Sequence, residues 1–261
     1  MRTSDSDVVR PGAPEQAIEA FGDGRGVTVF GGGTILMPTV SYGRYPRGGR
    51  TLMLDRAGLD EVSDNGTLTI GAMTRLSRLA GSDIQPVAAA AAQVADLEVR
   101  GQATIGGNLC APPGDLQTAL LAAGARVRSV GAGGERTESI DDFLARGADD
   151  ARLVLAIELE RPRRAGYISQ RRAHAHSYAV MSVACAETSE GTRVAAGGLG
   201  LEPQRLTGVE RALAEGAAPA ESAAQAQDEV QPRDDALASA WYRRVVLPTL
   251  VTRVLEQMQG G

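Results

Sequence analysis

Two short glycine clusters, Gly31-Gly32-Gly33-Thr34 and Thr104-Ile105-Gly106-Gly107-Asn108, set the tightest constraint on what this chain can fold into. The first follows Val27-Thr28-Val29-Phe30, an apolar run of strand character, and the second leads toward a segment that predicts a helix from Asp115. Glycines that close a strand let backbone amides approach a pyrophosphate with no Cβ in the way, and Thr34 adds a hydroxyl donor. Thr104 and Asn108 are spaced to add side-chain hydrogen bonds on either side of a second set of exposed amides. Either cluster alone is more simply a sharp turn. Their order adds weight: strand, glycines, about seventy residues of mixed structure, glycines again, then helix. Two such turns could grip one dinucleotide from both sides.

Composition removes several competing chemistries. All 27 basic residues are arginine, so neither a Walker-A phosphate loop nor a pyridoxal Schiff base has its lysine. A net charge of -5 gives no electrostatic footprint for nucleic acid. Two cysteines, Cys110 and Cys185, cannot ligate an iron–sulfur cluster, and His174 with His176 lacks a third metal ligand, so no metal site is expected. The N-terminus lacks the basic-then-apolar order of a secretory signal, and no apolar run is long enough to span a bilayer. The expectation is a cytoplasmic protein without membrane insertion.

Periodicity and punctuation give a coarse map. Helices are predicted around Pro14 to Phe21, Pro86 to Leu97, Asp115 onward with Asp115 as cap, Ile140 to Leu144 and Gly208 to Ala214. A last helix spans about Ala236 to Gln259 with a kink at Pro248. Strands are expected near residues 51–54, 67–70, 126–130, 153–157, 167–168, 178–186 and 193–196, with a loop between the fourth of these and the third. The Ala-, Gln- and Pro-rich stretch Gly216 to Asp235 reads as a long surface connection, and Arg161-Pro162-Arg163-Arg164 as a domain boundary.

Gly31-Gly32-Gly33-Thr34-Ile35-Leu36, Ile70-Gly71-Ala72-Met73-Thr74 and Ala103-Thr104-Ile105-Gly106-Gly107-Asn108-Leu109, in that order, resemble the FAD subunits of carbon monoxide dehydrogenase and xanthine dehydrogenase. The likeness continues at Asp115-Leu116, Ala119-Leu120-Leu121, Tyr178-Ala179 and Ser182-Val183-Ala184. It implies an α+β chain with a two-subdomain FAD-binding fold of the PCMH, vanillyl-alcohol oxidase-like, type: subdomain 1 over residues 1–50 and subdomain 2 over 51–160. A smaller C-terminal α+β domain of antiparallel strands and helices would occupy 161–261. It implies that Gly31, Gly32, Gly33, Thr34, Ile35 and Leu36 wrap the FAD pyrophosphate and that Thr104, Ile105, Gly106, Gly107 and Asn108 complete the cradle. By the same likeness Asp115 hydrogen-bonds the flavin nucleotide, and Tyr178 lies where an aromatic residue approaches the flavin ring. Two departures stand out. The loop 109–114 is shorter than is typical, and Ile35 takes a position that is commonly polar.

The resemblance implies a division of labour in a molybdenum hydroxylase complex. An iron–sulfur subunit delivers electrons to FAD, the flavin passes them to NAD or another acceptor, and a molybdopterin-binding large subunit hydroxylates the substrate. No catalytic side chain is expected here, since the flavin carries the chemistry. A stand-alone flavin oxidase or reductase and a flavin-free assembly scaffold are the competing readings. Arg161, Arg163, Arg164, Arg171 and Arg172 read as a solvated face or as contacts to an acidic partner or a nucleotide phosphate.

Overall fold

The computed structural model describes residues 7–44, 49–111, 114–147, 151–172, 178–200 and 202–260. In chain order the first half runs β1 (Asp7–Val9), α1 (Pro14–Phe21), β2 (Val27–Phe30), α2 (Leu36–Ser41), β3 (Arg50–Met53), β4 (Val62–Asp64), β5 (Leu68–Gly71), α3 (Leu76–Ala80), α4 (Val87–Ala92), α5 (Leu97–Gln102), α6 (Ile105–Leu109) and α7 (Gln117–Ala122). The second half runs β6 (Arg126–Gly131), β7 (Gly134–Ser139), α8 (Ile140–Arg146), β8 (Leu153–Leu159), β9 (Ala165–Gln170), β10 (Met181–Thr188), β11 (Gly191–Gly197), β12 (Gln204–Arg205), α9 (Thr207–Ala214), α10 (Pro219–Ala224), α11 (Ala226–Glu229) and α12 (Ala240–Gly260). These form two compact units: Met1–Leu76, Leu97–Ala111 and Arg126–Glu158 in the first, Ser77–Asp96, Pro112–Ala125 and Leu159–Gly261 in the second.

The first unit holds a three-stranded sheet of order β1-β3-β2, parallel throughout, and a five-stranded sheet of order β4-β5-β8-β6-β7. Helix α1 starts where Pro14, whose φ is already helical, needs no amide partner, and it buries Ala17 and Phe21. Phe21, Leu52, Leu54, Val130 and Leu155 make up much of this unit's core. The stretch expected to be a loop after β6 instead returns as β7, pairing antiparallel from Arg126↔Ser139 to Gly131↔Gly134. Its alternation is masked by charge: Glu135, Arg136 and Glu138 form ion pairs, and buried Glu138 lies between Arg136 (2.7 Å) and Arg146 (2.7 Å).

The second unit is an antiparallel sheet of order β12-β11-β10-β9 covered by helices. Central β10 is buried over its first six residues, which is why Met181-Ser182-Val183-Ala184-Cys185-Ala186 shows no polar alternation. Helix α12 lays Leu247, Leu250, Val251, Val254, Leu255 and Met258 into the core, and Pro248 lies within the helix. Residues 216–235 are not the surface connection expected. They form α10 and α11 and bury Ser222, Ala223, Ala226 and Val230. Alanine is too small to signal a core in the sequence, but here it lets helices approach closely.

Arg243 is the charged residue most fully buried in this unit. Its guanidinium donates to both Asp235 carboxylate oxygens at 2.8 Å, to Ala238 O at 2.9 Å, to Val180 O at 3.4 Å and to Arg233 O. This latches the segment before α12 to the helix and to the approach to β10. Burial raises the Asp235 pKa, but hydrogen bonds from Arg243 and from the amides of Ala238 and Leu237 outweigh it and hold the carboxyl below its usual range.

Candidate cofactor site

Strand β2 closes with Phe30 O accepting from the Leu54 amide at 3.0 Å, and the chain then turns through the first glycine cluster. Among the described residues, none accepts a hydrogen bond from the amides of Gly31, Gly32, Gly33, Thr34 or Ile35, and none bonds the Thr34 hydroxyl. Five successive amides in a half-exposed turn are thus left as donors without a partner among the described residues, the kind of run that can take an anionic oxygen. Glycine at 32 is required by packing, because a Cβ would lie 2.0 Å from Gln102 O. Gly33 adopts φ +75°, a left-handed conformation that favours glycine. Helix α2 follows with no buried residue, and Ile35 at its N-cap is half exposed.

The second cluster lies against the first in the same unit: a Cβ on Gly31 would lie 3.1 Å from Thr104 Oγ1. Its amides are not exposed as the sequence suggested. Thr104 caps the short helix α6, accepting from the Gly107 amide at 3.2 Å, and Asn108 donates to Thr104 O at 2.9 Å. The Ile105 amide donates to Thr74 O (3.0 Å) and Gly106 to Ala72 O (2.9 Å). Two glycines in succession argue against a helix, so the local sequence hides this one. Ile105 and Gly106 are buried, while Gly107 is exposed and Asn108 half-exposed. This cluster therefore braces the 72–74 segment and walls the first turn, and the open donors belong to the first.

Asp115 and Tyr178 belong to the second unit. Helix α7 begins at Gln117 and its cap, Leu116, contributes no side-chain hydrogen bond, so Asp115 is not the helix cap. Half-buried Asp115 instead lines a cavity of about 50 Å³ with Thr118, Tyr167, Tyr178, Ser182 and Gly198. Tyr178 is 54% exposed and precedes β10 rather than lying in a strand. The cavity has buried hydroxyls with no role assigned from the sequence: Thr118 and Ser182 are 2.9 Å apart. Burial, and then the Asp115 charge, push the Tyr167 phenol up to about 12. A signal that went unread was the cluster Gly197-Gly198-Leu199-Gly200, since a Cβ on Gly197 would meet Thr118 Oγ1 at 2.2 Å. His174 and His176, with Pro112 and Pro113 of the short loop, lie outside the described residues.

A run of partnerless amides in an α+β architecture suits a dinucleotide-binding fold, and the comparisons name the family. Residues 3–160 match the FAD binding domain in molybdopterin dehydrogenase, and residues 165–258 match the CO dehydrogenase flavoprotein C-terminal domain. The chain belongs to the FAD-binding family of molybdopterin dehydrogenases. The uncharacterized protein YgfM of Escherichia coli strain K12 is 33% identical over 259 residues, 96% of this chain and 95% of that one. Among solved structures, quinoline 2-oxidoreductase from Pseudomonas putida 86 aligns with a TM-score of 0.85 at 22% identity. The carbon monoxide dehydrogenase of Hydrogenophaga pseudoflava aligns with a TM-score of 0.84 at 22% identity. In both, the alignment covers 100% of this chain and 99% of the other, and the likeness is one of fold. No helix of the described residues is long and apolar enough to cross a membrane.

Proposed function

We propose that this chain is the electron-transfer subunit of a cytoplasmic molybdenum hydroxylase complex. On this reading it takes electrons from an iron–sulfur subunit and passes them through FAD to NAD or another acceptor, while a molybdopterin-binding large subunit hydroxylates the substrate. The observation that carries the reading is the open amide array from Gly31 to Ile35, in a chain of the FAD-binding family. Those amides and the Thr34 hydroxyl suit the pyrophosphate of FAD, and Leu36, which opens α2, follows directly on them. Thr104, Ile105, Gly106, Gly107 and Asn108 form the wall behind it. Asp115 and Tyr178 are assigned to the flavin nucleotide and ring on the family likeness, and the exposed Tyr178 ring is available for stacking. Bound FAD supplies the electron-carrying chemistry. The chain's residues bind and orient it, with residues 1–160 as the two FAD-binding subdomains, divided near residue 50, and 161–261 as the C-terminal domain.

Co-purification of the native complex, with flavin absorption and iron analysis, tests the reading. FAD at one equivalent per chain together with an iron–sulfur partner is the expected result. A yellow, active monomer would make the chain a stand-alone flavin oxidase or reductase, and a colourless chain within the complex would make it an assembly scaffold.

A further inference from the structure

Trp241, the sole tryptophan of the chain, is 73% exposed near the start of α12, and one turn later Val245 is 47% exposed. Arg244 between them is also exposed. The opposite face of the helix already fills the core with Leu247, Leu250, Val251 and Val254, so the register of α12 turns Trp241 and Val245 outward. The ground around them is basic. Arg172 donates to Leu237 O at 3.0 Å and Ala236 O at 2.6 Å, which fixes it beside the segment entering α12, and Arg233 of that segment is exposed. The acids there are committed internally: Asp234 accepts from the Ala240 amide at 2.6 Å, and Asp235 from Arg243. With Arg243 and Asp235 paired to each other, three exposed arginines, Arg172, Arg233 and Arg244, stand against Asp234 on a chain of net charge -5.

We infer that the N-terminal face of α12 is a docking surface for a different protein chain, one with an apolar socket for Trp241 rimmed by carboxylates. Tryptophan and arginine are the side chains that most often dominate binding energy when they enter such a socket. The inference rests on the chain being a subunit of a complex. Charge selects the occupant. A two-fold contact of this face with itself would set its exposed arginines against those of the second copy. The other exposed apolar group among the described residues, Ile35, Met37, Val40 and Tyr42, lies in a run without an acid from Gly31 to Gly43, followed by Arg44. Asp96-Leu97-Glu98 is acidic but offers one apolar side chain. A bilayer surface needs a broad apolar helix face, and beyond Val245 the exposed side of α12 continues with Thr249, Arg253 and Glu256.

The full chain labelled with 5-fluorotryptophan gives one fluorine resonance to follow while unlabelled partner subunits, separated from the native complex, are added. A shift or broadening at stoichiometric partner is expected. Trp241→Glu and Val245→Glu should keep the wild-type circular dichroism and flavin spectrum but bind the partners roughly 30-fold or more weakly. Arg244→Glu should bind more weakly too, with a shallower salt dependence. A resonance that does not move, or variants that assemble within twofold of wild type, would overturn the inference while leaving the subunit reading intact. Self-association lost in Trp241→Glu, or binding to anionic phosphatidylserine vesicles lost in the same variant, would overturn it in favour of those occupants. A wild-type chain that joins no other subunit would overturn the subunit reading and this inference together.

Discussion

Gly32 cannot carry a side chain without moving the backbone that braces the donor array, because Gln102 O would lie 2.0 Å from its Cβ. Gly32→Ala should therefore cost about 1–3 kcal/mol of stability and lower FAD affinity at least tenfold, read by urea denaturation and flavin fluorescence titration. Gly101→Ala is the contrasting change: it lies in α5 with open space around its Cβ, so it should gain about 0.5–1 kcal/mol from helix propensity alone. Equal effects at the two positions would refute the packing argument. Ala95, at φ 39°, is an L-residue in left-handed backbone. That conformation costs an alanine about 1–2 kcal/mol, and glycine returns about 0.5–1 kcal/mol of it as chain entropy. Ala95→Gly should thus raise the urea midpoint by an amount equivalent to at most about 1.5 kcal/mol.

Elements were legible where side-chain size and punctuation agree. Pro14 and Phe21 bound α1 where the sequence put it, and Val27 to Phe30 is β2. They were illegible where small or charged residues do the packing: Ala223 and Ala226 hide α10 and α11, and the ion pairs of Glu138 hide β7. At the site, the position of the first glycine turn was readable, but which cluster keeps its amides open was not. That depends on the carbonyls of Ala72 and Thr74, which a pattern search does not consult. The Arg243 latch was invisible for the same reason, as its acceptors come from two separate stretches of chain, Val180 and residues 233–238. Arg243→Met should cost about 3 kcal/mol, since it leaves buried carbonyls without donors. Because the folded Asp235 pKa lies below its unfolded value, the carboxylate's contribution is present above about pH 4 and is lost as pH falls through the folded pKa. Urea midpoints between pH 6 and pH 3 should fall less steeply for Asp235→Asn than for wild type. Parallel curves would show that the latch is not charge-dependent.

At the scale of the whole chain, each unit has its own hydrophobic core, so the fold does not depend on a bound cofactor for its interior. What FAD adds is linkage: a ligand that binds only the folded state stabilises it by RT ln(1 + [L]/Kd), about 2.7 kcal/mol at a hundredfold excess over Kd. For a chain of this size that corresponds to a rise in Tm of roughly 5–10 °C. The flavin-stripped protein should show this rise with FAD, and a much smaller one with FMN, which has no pyrophosphate to offer the amides of Gly31 to Ile35. Gly32→Ala should show a reduced FAD shift at the same concentration, because its Kd is higher. Equal shifts with FAD and FMN would place recognition on the ring rather than on the open amide array. No shift with either would leave the array without its pyrophosphate and favour the scaffold.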